Sequence, residues 1–333
     1  MHVERLDLSE WGDQLPATGT EVFHRPAVLR ALDDHTDADL VLYGGFKGDQ
    51  RVALWPVFVR QTPVATASFS PVPSMGIPRL GPILTPASPK RRKREKLNRT
   101  FVGEVLDRLT DDAGPSLLWL ACNTAYADPR PFVWRDLSVT PQFTYHLDVG
   151  DDADAQLESF SRSLRREVRD AEDLDVTVRL EGRDGVRRIY QETMERYAEQ
   201  DDDYRVPWSY VRDLTAGLDE RARAYVARDP SGEFLGGITA LYSDDAAYFW
   251  QGGTRASYES VSINSLLHWR IVEDIAAGEP VESVDTYDLM GANTERLCQY
   301  KAKFGGELVP YFTVESDSEL MRVAKRVYSA VAH

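Results

Sequence analysis

One order of elements occurs twice along this chain, and the repetition constrains the fold more than any other feature. In the first half, LVLYGGF (40–46) is β-rich, KGDQ (47–50) carries turn chemistry, and RVALWPVFVR (51–60) returns as a second strand. A Pro/Gly-rich stretch (63–89), a helix over about 91–112, a short apolar strand SLLWLAC (116–122) and a strand pair near 131–149 follow. In the second half, ARAYVARD (222–229), PSGE (230–233) and FLGGITALYS (234–243) form the hairpin, and AAYFWQGGT (246–254) the next strand. A helix over about 260–277 has Ile263, Leu266, Leu267, Ile271 and Ile275 at helical spacing. SVDTYDLMG (283–291) reads as a buried strand, 293–303 as a short helix, ELVPYFTVE (307–315) as the closing strand, and 316–331 as a final helix. The halves share order rather than residue identity. The pattern predicts an α/β (α+β) chain of two similar domains, 1–147 and 148–333, each a mixed, mainly antiparallel sheet flanked by helices.

Three helices precede the second hairpin, over about 153–173, 184–200 and 207–218, the last opening at Pro207. On the first, Leu157, Phe160, Leu164, Val168 and Ala171 make an apolar stripe, and Arg162, Arg165, Arg166 and Arg169 line one flank.

Composition closes off several alternatives. No apolar run approaches the roughly 18 residues of a membrane span, and residues 1–20 lack a signal-peptide core. Cys122 and Cys298 cannot make a disulfide framework or a Cys-rich metal site. A cytoplasmic protein is the expectation. Its net charge of -15 is spread along the chain, with Asp favoured over Glu and only seven Lys among 39 basic residues. That texture resembles a surface adapted to concentrated salt, or an ordinary acidic protein.

The second half resembles the FemAB-type branch of the GNAT acyltransferase superfamily, whose chains carry tandem GNAT-like domains. The resemblance rests on FTYHLDV (143–149), SLRREVRDAEDLDVTV (163–178), YQETMERY (190–197), GGITALYSDDAAYFWQGGT (236–254), NSLLHWRIVEDI (264–275), TYDLMG (286–291) and YKAKFGGELVPYF (300–312). Residues 1–140 follow it only in layout. The resemblance implies transfer of an acyl or aminoacyl group to an amine, with a small-molecule, glycan or peptide acceptor. It also implies no resident cofactor or metal: the acyl donor, such as an acyl-CoA or an aminoacyl-tRNA, is a co-substrate. A monomer or homodimer would suffice. One departure stands out. GGTRASYESVSIN (252–264) lacks the glycine-rich Gln/Arg-x-x-Gly-x-Gly/Ala loop with which acetyl-CoA-using relatives hold a pyrophosphate at a helix N-terminus. A catalytically silent double-GNAT scaffold fits that absence as well as an enzyme with another donor does.

Candidate site residues come from the matched segments. Lys301 of Lys-x-x-Phe-Gly is expected at a cleft rim, where its charge would stabilise negative charge growing on a carbonyl or phosphate; otherwise it complements a helix end. Tyr300 and Phe304 would bury, Lys303 would be solvated, and replacing Lys301 should cost activity and little stability. Asp288, at a buried strand's end, is a candidate general base or orienter, or caps the next turn. Arg165 and Arg169 would grip a phosphate, or pair with neighbouring acids. Arg196, Tyr204, Trp208, Tyr248, Trp250, Gln251 and Phe304 complete the candidate substrate-binding set, against the alternative of ordinary packing. His268 reads as a core histidine. KRRKREK (90–96) reads as an exposed helix start or as a nucleic-acid or membrane patch; a tRNA donor would be one use for it.

Overall fold

The computed structural model describes residues 1–61, 66–111, 116–199, 206–253 and 256–316. Tyr204 and the expected final helix over 316–331 lie outside the described residues, apart from Ser316. The chain forms two compact units. Of the described residues, one comprises those within 1–73, 77–142 and 310–316, the other those within 74–76 and 143–309.

The first half runs β1 (His2–Leu6), α1 (Leu8–Gln14), α2 (Pro26–Asp34), β2 (Asp39–Lys47), β3 (Gln50–Gln61), β4 (Thr66–Ser70), β5 (Ile83–Leu84), α3 (Arg91–Asp111), β6 (Ser116–Ala121), α4 (Arg130–Val133) and β7 (Leu137–Asp148). The second runs α5 (Ala153–Ser159), α6 (Arg162–Glu172), β8 (Thr177–Glu181), α7 (Arg183–Ala198), α8 (Trp208–Leu218), β9 (Ala222–Arg228), β10 (Phe234–Tyr242), β11 (Ala246–Gly252), β12 (Ser257–Tyr258), β13 (Val261–Ser262), α9 (Ile263–Ala276), β14 (Thr286–Asp288), α10 (Glu295–Lys301) and β15 (Glu307–Ser316).

The repeated order is present as a repeated topology. β2, β3 and β4 are successive antiparallel neighbours, and β4 then pairs parallel with β6 across the α3 crossover. β9, β10 and β11 do the same, and β11 pairs parallel with β14 across α9. The closing strands were not read correctly from sequence order. β7, the last strand of the first half, pairs with β14. β15, the last strand of the second half, pairs with β6. Each half's closing strand pairs with a strand of the other half.

Local chemistry explains the turns. The β9–β10 loop winds around Asp229, whose Oδ1 accepts from the Ser231 and Glu233 N–H groups and the Ser231 hydroxyl at 2.7–2.9 Å. The helix expected over 153–173 is two helices. Phe160 is extended, and the Ser161 hydroxyl caps α6 by accepting from the Leu164 N–H at 3.3 Å.

α9 is the spine of the second unit. Ile263, Leu267, Ile271, Val272 and Ile275 enter one core with Tyr225, Ile238, Ala240 and Tyr242. Burying each such aliphatic side chain contributes about 1.5–3 kcal/mol, so packing rather than propensity holds this helix. In the first unit Trp55, Phe101, Val105, Leu120 and Phe132 form the corresponding core.

Candidate active site

The site forms where two parallel strands part. β11 and β14 pair through Tyr248↔Asp288, where β14 ends, while β11 continues to Gly252. Beyond Asp288 the chain turns through left-handed backbone at Met290 (φ 56°) and Gly291 (φ 53°). Asp288 is fully buried there. Its Oδ1 accepts from the Thr144 hydroxyl and from the Met290 N–H at 2.8 Å, so the turn-capping reading of Asp288 is correct. Its Oδ2 stands 3.3 Å from His146 Nε2. The His146 side chain keeps 25% of its surface exposed, so the pair combines a buried carboxylate with a reachable imidazole.

Lys301 meets the same strand end from α10. It is buried, not at a rim as expected, because its Nζ donates to the Met290 carbonyl and, at 2.9 Å, to the Gly291 carbonyl. The ammonium also lies 5.7 Å from the Phe249 ring centroid. Burial pushes its pKa down to about 8, opposed by attraction to Asp288. Tyr300 and Phe304 stack edge-to-face at 5.6 Å and pack around His268, as does Phe249. His268 is the expected core histidine, its Nδ1 2.9 Å from the Tyr287 hydroxyl and its pKa lowered to about 3 by burial and by Lys301.

Register places several polar residues, with the apolar Leu241 among them, on one face of this sheet. His146 opposes Asp288, Asp288 opposes Tyr248, Tyr248 opposes Leu241, and two residues further on Thr239 opposes Gln251 across a bulge. Gln251 and Thr239 are buried at 4% and 0% exposure, yet neither end of the Gln251 amide nor the Thr239 hydroxyl has a partner among the described residues. Buried polar groups ordinarily do, and leaving one unsatisfied costs about 1–3 kcal/mol. The strand end behind them is fixed by Gly252 and Gly253. A Cβ on Gly252 (φ 105°) would lie 2.2 Å from the Gly237 carbonyl oxygen, and Arg196 at the end of α7 donates to both glycine carbonyls.

The remaining candidates are not drawn into this cluster. Arg165 and Arg169 both bond Glu158, each at 2.6 Å, as the acid-pairing alternative supposed. Trp208 packs on Tyr190 at 5.4 Å. Trp250 donates its indole N–H to the Gly76 carbonyl at 2.8 Å. Lys303 pairs with Glu167 at 3.6 Å. In place of a glycine loop before α9, β12 and β13 form a tight hairpin turning through Glu259 and Ser260, both at positive φ. The first N–H of α9, on Ile263, is occupied by the Ala256 carbonyl at 3.2 Å. His146 and Thr144 were missed, although their polar alternation with Phe143, Tyr145 and Leu147 marked a strand with one polar face. Among the described residues no group of three or more His, Cys, Asp or Glu side chains could hold a metal ion.

Residues 158–302 match the family model described as an acetyltransferase (GNAT) domain. That match lies within the second unit and agrees with the resemblance to the GNAT superfamily read from the sequence. The fold is similar to that of FemX, whose crystal structure aligns over 100% of both chains with a TM-score of 0.67 at 12% identity. L-PGS from Bacillus licheniformis aligns over 98% of this chain and 96% of its own, with a TM-score of 0.56 at 10% identity. The C-terminal domain (DUF2156) of a lysylphosphatidylglycerol synthetase candidate from Agrobacterium fabrum aligns over 97% and 96%, with a TM-score of 0.55 at 11% identity. No curated protein sequence matches the chain.

Proposed function

We propose that this protein is an N-acyl or aminoacyl transferase, moving an acyl group from an activated ester or thioester to an amine. The observation that carries the reading is the meeting of His146, Asp288 and Lys301 at the parting of β11 and β14. With its Nε2–H directed at Asp288, 3.3 Å away, His146 leaves Nδ1 to accept the proton of the attacking amine. The amine nitrogen bonds to the donor carbonyl carbon. The tetrahedral oxyanion then collapses and breaks the bond to the leaving oxygen or sulfur, which takes the proton back from Nδ1. Lys301 holds positive charge beside this centre in a desolvated position, with one ammonium N–H beyond the two given to carbonyls. Gln251 and Thr239 offer unspent hydrogen-bonding capacity to the acceptor.

The donor is proposed to be other than acetyl-CoA. The hairpin before α9 and its occupied first N–H support this, since both take up the place of a pyrophosphate cradle. A fold relative named for a lysyl-lipid product supports an aminoacyl ester as one donor class. Mass spectrometry of ligands retained through native purification identifies candidate donors, and His146→Ala then tests the site. Turnover should fall by about 10²–10⁴-fold with the melting temperature little changed. Acetyl-CoA should bind with a dissociation constant above about 100 μM. Low-micromolar acetyl-CoA binding, or full turnover without His146, rejects this assignment.

A further inference from the structure

The basic run over 90–96 is not absorbed by the site above, and its surroundings say what it fits. It opens α3, and Lys90, Arg92, Lys93, Arg94, Lys96 and Arg99 are all exposed, with no carboxylate partner among the described residues. Arg91, by contrast, is held by Glu95 at 2.9 Å. Arg92, Lys96, Arg99 and Gly103 follow one another along one stripe of the helix. At the far end of that stripe, Arg99 and Gly103 share a shallow hollow of about 380 Å³ with Trp134 and Arg135, just past α4. Trp134 is 55% exposed and Val133 beside it 51%. They are the only two consecutive large hydrophobic side chains so exposed among the described residues. Arg130 lies over the Trp134 ring at 5.6 Å. In a chain of net charge -15, three of seven lysines stand in this run.

We propose that this α3–α4 face docks on a membrane surface rich in anionic lipid headgroups. The six free cations supply attraction to a negatively charged plane. The Trp134–Val133 pair supplies the apolar wedge that a headgroup layer accepts, the indole body among acyl carbons and its N–H among polar groups. A nucleic acid would also meet the cations. It has less use for Val133, and one face of the Trp134 ring is already covered by Arg130, which leaves less of it for base stacking.

Co-sedimentation of the full chain with large unilamellar vesicles tests this, using phosphatidylcholine alone or with about a third phosphatidylglycerol, at about 0.1 M and about 1 M salt. Binding should require phosphatidylglycerol and weaken at the higher salt. With each cation worth about 5-fold near such a surface, Arg92→Gln/Lys93→Gln/Lys96→Gln should bind about 100-fold more weakly. Trp134→Ala/Val133→Ser should bind about 10-fold more weakly with its salt dependence unchanged. Circular dichroism melting confirms that both variants fold. The proposal is overturned by no vesicle binding, by equal binding to neutral vesicles, or by binding indifferent to both variants. It is overturned equally if a fluorescently labelled transfer RNA binds through the same cations and displaces the vesicles.

Discussion

Lys301→Met separates a buried functional lysine from a surface one. The side chain is buried, and the pKa falls from 10.5 to about 8, which corresponds to about 3 kcal/mol of preference for the neutral form in the folded state. The sign follows from proton counting. Between about pH 8 and 10.5 the unfolded chain binds the Lys301 proton and the folded chain does not, so stability contributed by this group is full above 10.5 and is lost as pH falls to 8. Below 8 both states are protonated and the contribution is flat. Urea unfolding of wild type and Lys301→Met across this window should therefore show wild type gaining up to about 3 kcal/mol relative to the variant as pH rises. Lys303→Met, at a lysine paired with Glu167, controls for the loss of one positive charge. Burial also revises the expectation that replacing Lys301 leaves stability untouched. The Met290 and Gly291 carbonyls lose their donor, at about 1–3 kcal/mol. Turnover should fall by about 10²–10³-fold in Lys301→Met, and little in Lys303→Met. Parallel pH profiles for wild type and Lys301→Met would refute the buried geometry from which these numbers come.

His268, with its pKa lowered from 6.5 to about 3, contributes stability that is full above pH 6.5 and is lost as pH falls towards 3, up to about 5 kcal/mol. His268→Phe should be less acid-sensitive than wild type, and identical acid-unfolding midpoints would count against a neutral buried ring. Gln251→Leu removes an amide with no partner, so thermal unfolding should show a protein as stable as wild type or up to about 2 kcal/mol more so, while the Michaelis constant for the acceptor rises. A destabilised variant with unaltered kinetics would make Gln251 a structural residue.

Much of the fold was legible because its signals are local. Val- and aromatic-rich runs separated by Gly48-Asp49 or by the Asp229 loop announce hairpins, and the spacing of Ile263, Leu267 and Ile271 announces a helix buried in a core. What escaped depended on distant pairing or on depth. The break at Phe160–Ser161 is set partly by the Ser161 N–H reaching the Lys303 carbonyl at 2.7 Å, a contact that no periodicity encodes. Helical geometry gives the angle of Lys301 from Tyr300 but not the two carbonyls waiting beneath it. Gln251 was a candidate for the right reason, but its unpartnered amide is visible only once its neighbours are placed.

The exchange of closing strands explains why the central pair of the site was half seen. A division at 147/148 assigns His146 to one domain and Asp288 to the other, so a reading that keeps each half separate has no cause to join them. Because β7 closes the second unit, Asp288↔His146 and Thr286↔Asp148 become rungs of one ladder. Thr144, two residues before His146 and on the same face, then reaches the carboxylate. The buried Asp288 is stabilised by partners from two sequence regions, the Thr144 hydroxyl from β7 and the Met290 N–H from its own turn. Under the proposed mechanism, a carboxylate with that support orients the imidazole and need not change its own position when the proton moves. The same exchange ties the chemistry to folding. The proposed base and its proposed orienter come together only when β7 pairs with β14, so the register of that pairing also assembles the candidate site.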